Sequence, residues 1–327
     1  MCDSQGCYSR RTSPPPRRHP APAAHPLTTH QGTTMRTERD SMGEMQVPEE
    51  ALYGASTARA VENFPIAHRP LPPAVIHAFG HLKAACAQAN KDLGKLPGDI
   101  ADAIIAAADE VAEGKHDAHF PVDVYQTGSG TSTNMNANEV IATLATRTLG
   151  KKVHPNDHVN MGQSSNDTFP TAMHIAAVLE LRKLETALER LHEQLSRQAD
   201  QWDRIVKIGR THLMDATPIR VGQVFAGLAA QTRDARGNVQ SSRAFLEATM
   251  PIGGTAVGTG INTHPQFAEK TCVALEARTQ APFREAENHV QAQAAKDDFV
   301  TAHSGLKITA VALSKIANDI RHLGSGP

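Results

Sequence analysis

From Pro170 to about Trp202 the chain runs with no glycine and no further proline, and Leu184, Leu188, Leu191 and Leu195 recur at spacings of 4, 3 and 4. A stretch like this has one regular conformation open to it, an amphipathic helix with a narrow coiled-coil-like seam. It would be on the order of 50 Å long. Such a seam stays wet unless other long helices lie along it. Two more candidates follow. One starts at Asp215 or Thr217, with Pro218 in the first turn, and reaches about Thr249; Gly222, Gly227 and Gly237 weaken it. The other covers about Asn288–Leu323, where Leu306, Thr309, Leu313, Ile316, Ile320 and Leu323 keep a 3, 4, 3, 4, 3 spacing. Shorter helices are expected over Asp99–Gly114, capped by Asp99 and stopped by Gly114, and over Thr133–Gly150. Met42–Val47 alternates weakly and suits a short strand. No sustained βαβ alternation occurs, so dinucleotide-binding and barrel folds are disfavoured. The expected class is mainly α.

Composition narrows the function. Lys plus Arg number 33 against 34 Asp plus Glu, which removes the electrostatic case for nucleic acid or an anionic membrane. Mean hydropathy is −0.37, and no apolar run approaches a membrane span. The 4 Cys, at 2, 7, 86 and 272, form no CxxC and no disulfide framework, which fits a reducing compartment. Residues 1–34 carry Pro14-Pro15-Pro16 and no Val, Ile or Phe. They are read as a solvated tail, or as an upstream start ahead of Met35; as a transit peptide they lack an apolar face.

Four polar, glycine-punctuated segments interrupt the helical pattern. Gln126–Asn136 crowds hydroxyls and amides at a helix entrance, where free N–H groups and the dipole suit a carboxylate or phosphate. His154–Asp157 leads to Gln163–Asp167; Ser164, Ser165 and Asn166 are neutral donors, and Asp167 or Thr168 can cap the long helix. His154 and His158 stand four apart, but Pro155 and Asn156 make a turn there, and metal is the weaker option. Gly209–Pro218 places Thr211 and His212 before a helix that Asp215 can cap. Ile252–Asn262 is glycine-rich but matches neither GxGxxG nor GxxxxGK[ST]. Many neutral donors, one histidine and few committed charges suit a small dianion whose charge shifts from carbon to carboxylate oxygen. No cofactor is needed.

At these segments the sequence resembles class II fumarase, of the fumarase/aspartase superfamily. The matching stretches are Met42–Pro48, Leu52–Ala55, QTGSGTSTNMNANEV (126–140), HPNDHVNMGQSSNDTFPTAMHI (154–175), GRTHLMDATP (209–218), IGGTAVGTGIN (252–262) and Ala310–Ile320. The resemblance covers about 35–327 and implies a mainly α, fumarase/aspartase-like fold. An N-terminal lyase domain (35–168) would precede a central long-helix bundle domain (169–327), in a homotetramer whose sites draw on three subunits. It implies reversible hydration of fumarate to L-malate in the tricarboxylic acid cycle, without a cofactor, in the cytoplasm, or in mitochondria if 1–34 were a transit peptide. Carried over by motif, Ser129, Gly130, Thr131, Ser164, Ser165, Asn166 and Thr211 bind substrate and His212 is the acid/base. His154, Pro155, Asn156 and Asp157 line a second anion site. Aspartate ammonia-lyases place Gln after the threonine of Thr211-His212 and STND at Ser164–Asp167, which favours the fumarase. The GSSxMPxKxNP signature loop is expected after Leu323–Pro327 and is absent from the sequence. The expectation is therefore a fragment, truncated before that loop, inactive and poorly soluble alone. The competing expectation is a non-catalytic, oligomerising helical protein.

Overall fold

The computed structural model describes residues 34–128 and 130–325. The expectations for the N-terminal tail and for Ser129 lie outside the described residues. An antiparallel hairpin opens the chain, β1 (Met35–Asp40) with β2 (Gly43–Pro48), so the single expected strand has a partner. Then come α1 (Ala55–Asn63), α2 (Pro73–Asp92), α3 (Gly98–Ala112), α4 (Thr131–Leu149) and α5 (Ser165–Gln201). A second hairpin pairs β3 (Val206–Thr211) with β4 (Met214–Arg220). The chain continues through α6 (Val221–Ala248), α7 (Phe267–Thr279), α8 (His289–Ala294) and α9 (Asp297–Leu323). The expected mainly α architecture is therefore present.

The core centres on α2, whose Ala-rich sequence buries Phe79, Leu82, Ala84, Ala85 and Cys86 completely against α3, α5 and α7. Small residues permit this. A Cβ on Gly80 would lie 2.4 Å from the Ala112 backbone nitrogen, so only glycine allows the α2–α3 approach. The seam of α5 packs on α6 through buried Leu181, Leu188, Leu195 and Ala199, with Leu184 and Leu191 half-buried. At its far end Trp202 meets Phe225 edge to face, ring centroids 4.7 Å apart.

Four boundaries differ from the sequence expectation. The segment Asp215–Arg220 is strand, and α6 begins only at Val221. Pro218 is tolerated because a two-stranded hairpin is all edge. Asp99 lies in the first turn of α3 rather than at its cap, which is Pro97. Ser164 caps α5, with Asp167 closing a reciprocal capping box. The last candidate helix is two helices, broken at Ala295-Lys296, where Lys296 Nζ bonds the carbonyls of Gln293 and Ala295.

The buried stripe of α9 also shifts. Ala302, Gly305, Thr309, Ala312 and Ile316 face inward, while Leu306, Ile320 and Leu323 stay exposed. Close packing on α6 selects small residues here: a Cβ on Gly305 would lie 2.5 Å from Ser242 Oγ.

Candidate active site

The starts of α4 and α5 and the loop 252–262 meet at one end of the molecule. Gly130 precedes α4 in the left-handed region, φ +73°, and a Cβ there would sit 2.2 Å from the Phe169 ring. Glycine therefore brings the two helix starts together. Gln126 Oε1 accepts from Thr133 N and Oγ1, each at 2.9 Å, and Thr127 Oγ1 accepts from Ser132 N at 3.2 Å. These α4 donors, which the sequence reading offered to an anion, are committed to capping. Thr131 is the first residue of α4.

On α5, Ser164 Oγ accepts from Asn166 N at 3.3 Å, and Ser165 Oγ accepts from Asn134 Nδ2 at 3.0 Å. Among the described residues no acceptor takes either hydroxyl proton. Asn166 Nδ2 donates to Ala256 O at 2.6 Å, joining α5 to the glycine-rich loop. Buried Asp167 holds the same loop. Its Oδ2 accepts from Gly253 N at 3.1 Å and Thr255 N at 2.9 Å, and its Oδ1 from Ser164 N at 2.9 Å. Burial pushes its carboxyl up to about 6, against those three N–H groups, which pull the other way. A cavity of about 440 Å³ opens here, lined by Gly128, Asn166, Phe169, Met173, Val257 and Lys296 among others.

His154 Nδ1 accepts from Asp157 N at 3.1 Å in a single π-helical turn, Pro155–Val159. Asn156 and Asp157 are exposed. His154 and Pro155 border a different cavity, of about 590 Å³, which Arg39, Arg147 and Lys152 also line.

Thr211 and His212 are elsewhere. His212 and Leu213 form the two-residue turn of the β3–β4 hairpin, at φ +54° and +59°, as a type I′ turn requires. Both are exposed, Leu213 at 87 %. The hairpin leaves from the C-terminal end of α5: Gly222 N bonds Trp202 O at 3.2 Å, and a Cβ on Gly222 would strike Ala199 O. Ser164–Asn166 cap the other end of this 37-residue helix. The helix that separates the two groups is about 55 Å long. One chain does not bring them together.

Sequence reasoning missed a polar cluster beneath Ser165. Lys83, on α2, is 0 % exposed. Its Nζ donates to Asn134 Oδ1 at 2.7 Å, Asn160 Oδ1 at 2.9 Å and Gln163 Oε1 at 2.9 Å. A signal was there: Lys83 sits in an Ala-rich helix with Phe79, Gly80, Cys86 and Ala87 at the neighbouring turns, and no acid among them. Among the described residues, no group of three or more His, Cys, Asp or Glu stands ready for a metal.

The lyase family matches residues 43–327. The chain belongs to that family, the fumarase/aspartase lyases. Fumarate hydratase class II of Corynebacterium glutamicum is 55% identical over 300 residues, covering 89% of this chain and 62% of the relative. That of Mycobacterium tuberculosis is 53% identical over 296 residues, with the same coverage of 89% and 62%. The solved class II fumarase from Schistosoma mansoni superposes with a TM-score of 0.86 at 37% identity, over 90% of this chain and 66% of that one. A fumarate lyase:delta crystallin from Brucella melitensis, bound to cobalt, gives 0.84 at 42% identity, over 90% of this chain and 65% of that one. This lyase chain thus spans about 62% of the length of the curated relatives it matches.

Proposed function

We propose that this chain carries most of a fumarate hydratase site, interconverting fumarate and L-malate as in the tricarboxylic acid cycle. The observation that carries the reading is 55% identity to a class II fumarate hydratase, in a chain where Gly128, Asn166 and Ala256, from three of the matching segments, line one cavity. Ser129, Gly130, Thr131, Ser164, Ser165, Asn166 and Thr211 bind the dicarboxylate. His212 exchanges the proton on the water side. Adding water to the double bond leaves an electron pair on the adjacent carbon, which delocalises onto the carboxylate as an aci-carboxylate before that carbon is protonated. Preoriented hydroxyl and amide donors stabilise this charge. His154, Pro155, Asn156 and Asp157 form the second anion site.

The separation of His212 from Ser164–Asn166 supports a site shared between subunits in a homotetramer. The exposed Val300, Leu306, Ile308 and Val311 of α9 support partners along that helix. We place the protein in the cytoplasm; Cys86 and Cys272 are free and buried. In this reading the N-terminal lyase domain at 35–168 supplies Ser164, Ser165 and Asn166, and the bundle domain at 169–327 supplies the histidine.

The 327 residues alone are expected to turn over no malate. The test fuses the remainder of the Corynebacterium glutamicum relative after Pro327 and follows fumarate absorbance with L-malate. The fusion is expected to be active, to release no ammonia from L-aspartate, and to lose on the order of 10²–10⁴-fold in kcat with His212→Asn. A folded fusion without hydratase activity overturns the reading. Turnover by the unfused chain overturns the fragment part of it.

A further inference from the structure

We propose that Lys83 is a positioning residue for the reaction: its ammonium locks the Asn134 amide so that Ser165 presents its hydroxyl proton to substrate. The inference rests on the substrate-binding role proposed for Ser165.

Three amide oxygens, from Asn134, Asn160 and Gln163, surround Nζ, one for each of its protons. An amide oxygen held by an ammonium fixes which way the amide faces. Each NH₂ then has a set direction. Asn134 Nδ2 reaches Ser165 Oγ at 3.0 Å and Asn160 Oδ1 at 3.2 Å. Asn160 Nδ2 donates to Gln163 O at 3.3 Å, and Gln163 Nε2 to Val159 O at 3.1 Å and Met161 O at 3.2 Å. The chain of donors therefore runs outward from the buried charge and ends at the serine oxygen. With a lone pair of Oγ occupied by Asn134, the Ser165 O–H is left to donate to another acceptor. Were the Asn134 amide reversed, its oxygen would accept the Ser165 proton and remove that donor from the site.

The network contains no acidic partner for Lys83. The titratable groups acting on it are the Cys86 thiol and the Asp167 carboxyl, and burial has the larger effect. A lysine kept for packing alone would be better replaced by a hydrocarbon; a lysine that orients three amides would not.

The experiment is a double-mutant cycle in the active fusion, measuring kcat and KM for L-malate with Lys83→Met, Ser165→Ala and both together. Lys83→Met is expected to lower kcat/KM on the order of 10²-fold in the native background. With Ser165→Ala already present it should cost less than about threefold, because the group it positions is gone. Equal losses in both backgrounds would mark a structural role and overturn the proposal, as would an unaltered kcat/KM in Lys83→Met. If Lys83→Met fails to fold, Asn134→Ala in the same cycle decides: coupling to Ser165 supports the relay, and additivity removes it. An inactive unmutated fusion would instead be a failure of the hydratase reading, recorded before any Lys83 variant is made.

Discussion

A buried ammonium persists only where oxygens replace its water, and Lys83 has three of them. Burial still pulls its pKa down from 10.5 to about 7. Between those values the unfolded chain holds a proton that the folded chain releases, so this group makes stability climb as pH rises from about 7 toward 10.5, while the released proton leaves one of the three amide oxygens without its donor. Urea midpoints at pH 7 and pH 9 should rise more for the native chain than for Lys83→Met; equal shifts would contradict the assignment. At Gly130, alanine meets both a left-handed backbone and the Phe169 ring. Gly130→Ala is expected to cost about 1–3 kcal/mol or more, read as a lower urea midpoint at unchanged slope.

The β3–β4 hairpin is the element that the sequence pattern misrepresents. Pro218, preceded by Asp215 and Thr217, has the signature of a helix start, yet Gly209 allows its strand to approach the Thr217 carbonyl, where a Cβ would lie 2.5 Å away. A turn with His212 and Leu213 both at positive φ stores strain in side chains that prefer negative φ. Leu213 touches little, being 87 % exposed. Leu213→Gly should therefore raise stability by up to about 1 kcal/mol, measured by thermal unfolding. A loss of stability would mean that Leu213 is held by contacts in solution. The capping box of α5 was legible as residue types at Ser164–Asp167, but the choice of Ser164 as cap was not: Asp167 is drawn inward by two N–H groups of a loop 86 residues downstream.

On the scale of the whole molecule, α9 separates two kinds of apolar surface. Its small residues pack on α6, and its larger ones, Val300, Ile308 and Val311, face outward at 66 %, 50 % and 64 % exposure. If this face meets other subunits and the site is shared between them as proposed, Val311→Glu should lower the association state of the active fusion in sedimentation, with fumarate hydration falling in step. A Val311→Glu protein that keeps its native assembly would separate the α9 face from the subunit contacts.

Periodicity, helix punctuation and local motifs are properties of neighbouring residues, and they were readable: the mainly α class, the seam of α5, the stop of α4 at Gly150 and the donor-rich loops. Three things were not local. The stripe of α9 that goes inward was set by how closely α6 can approach, and Gly305 against Ser242 decided it. The partners of Lys83 lie 51, 77 and 80 residues away, so no window of sequence contains them. Between Ser164–Asn166 and the hairpin that carries His212 stands the whole length of α5, so the proposed donors and the proposed proton carrier belong to opposite ends of that helix.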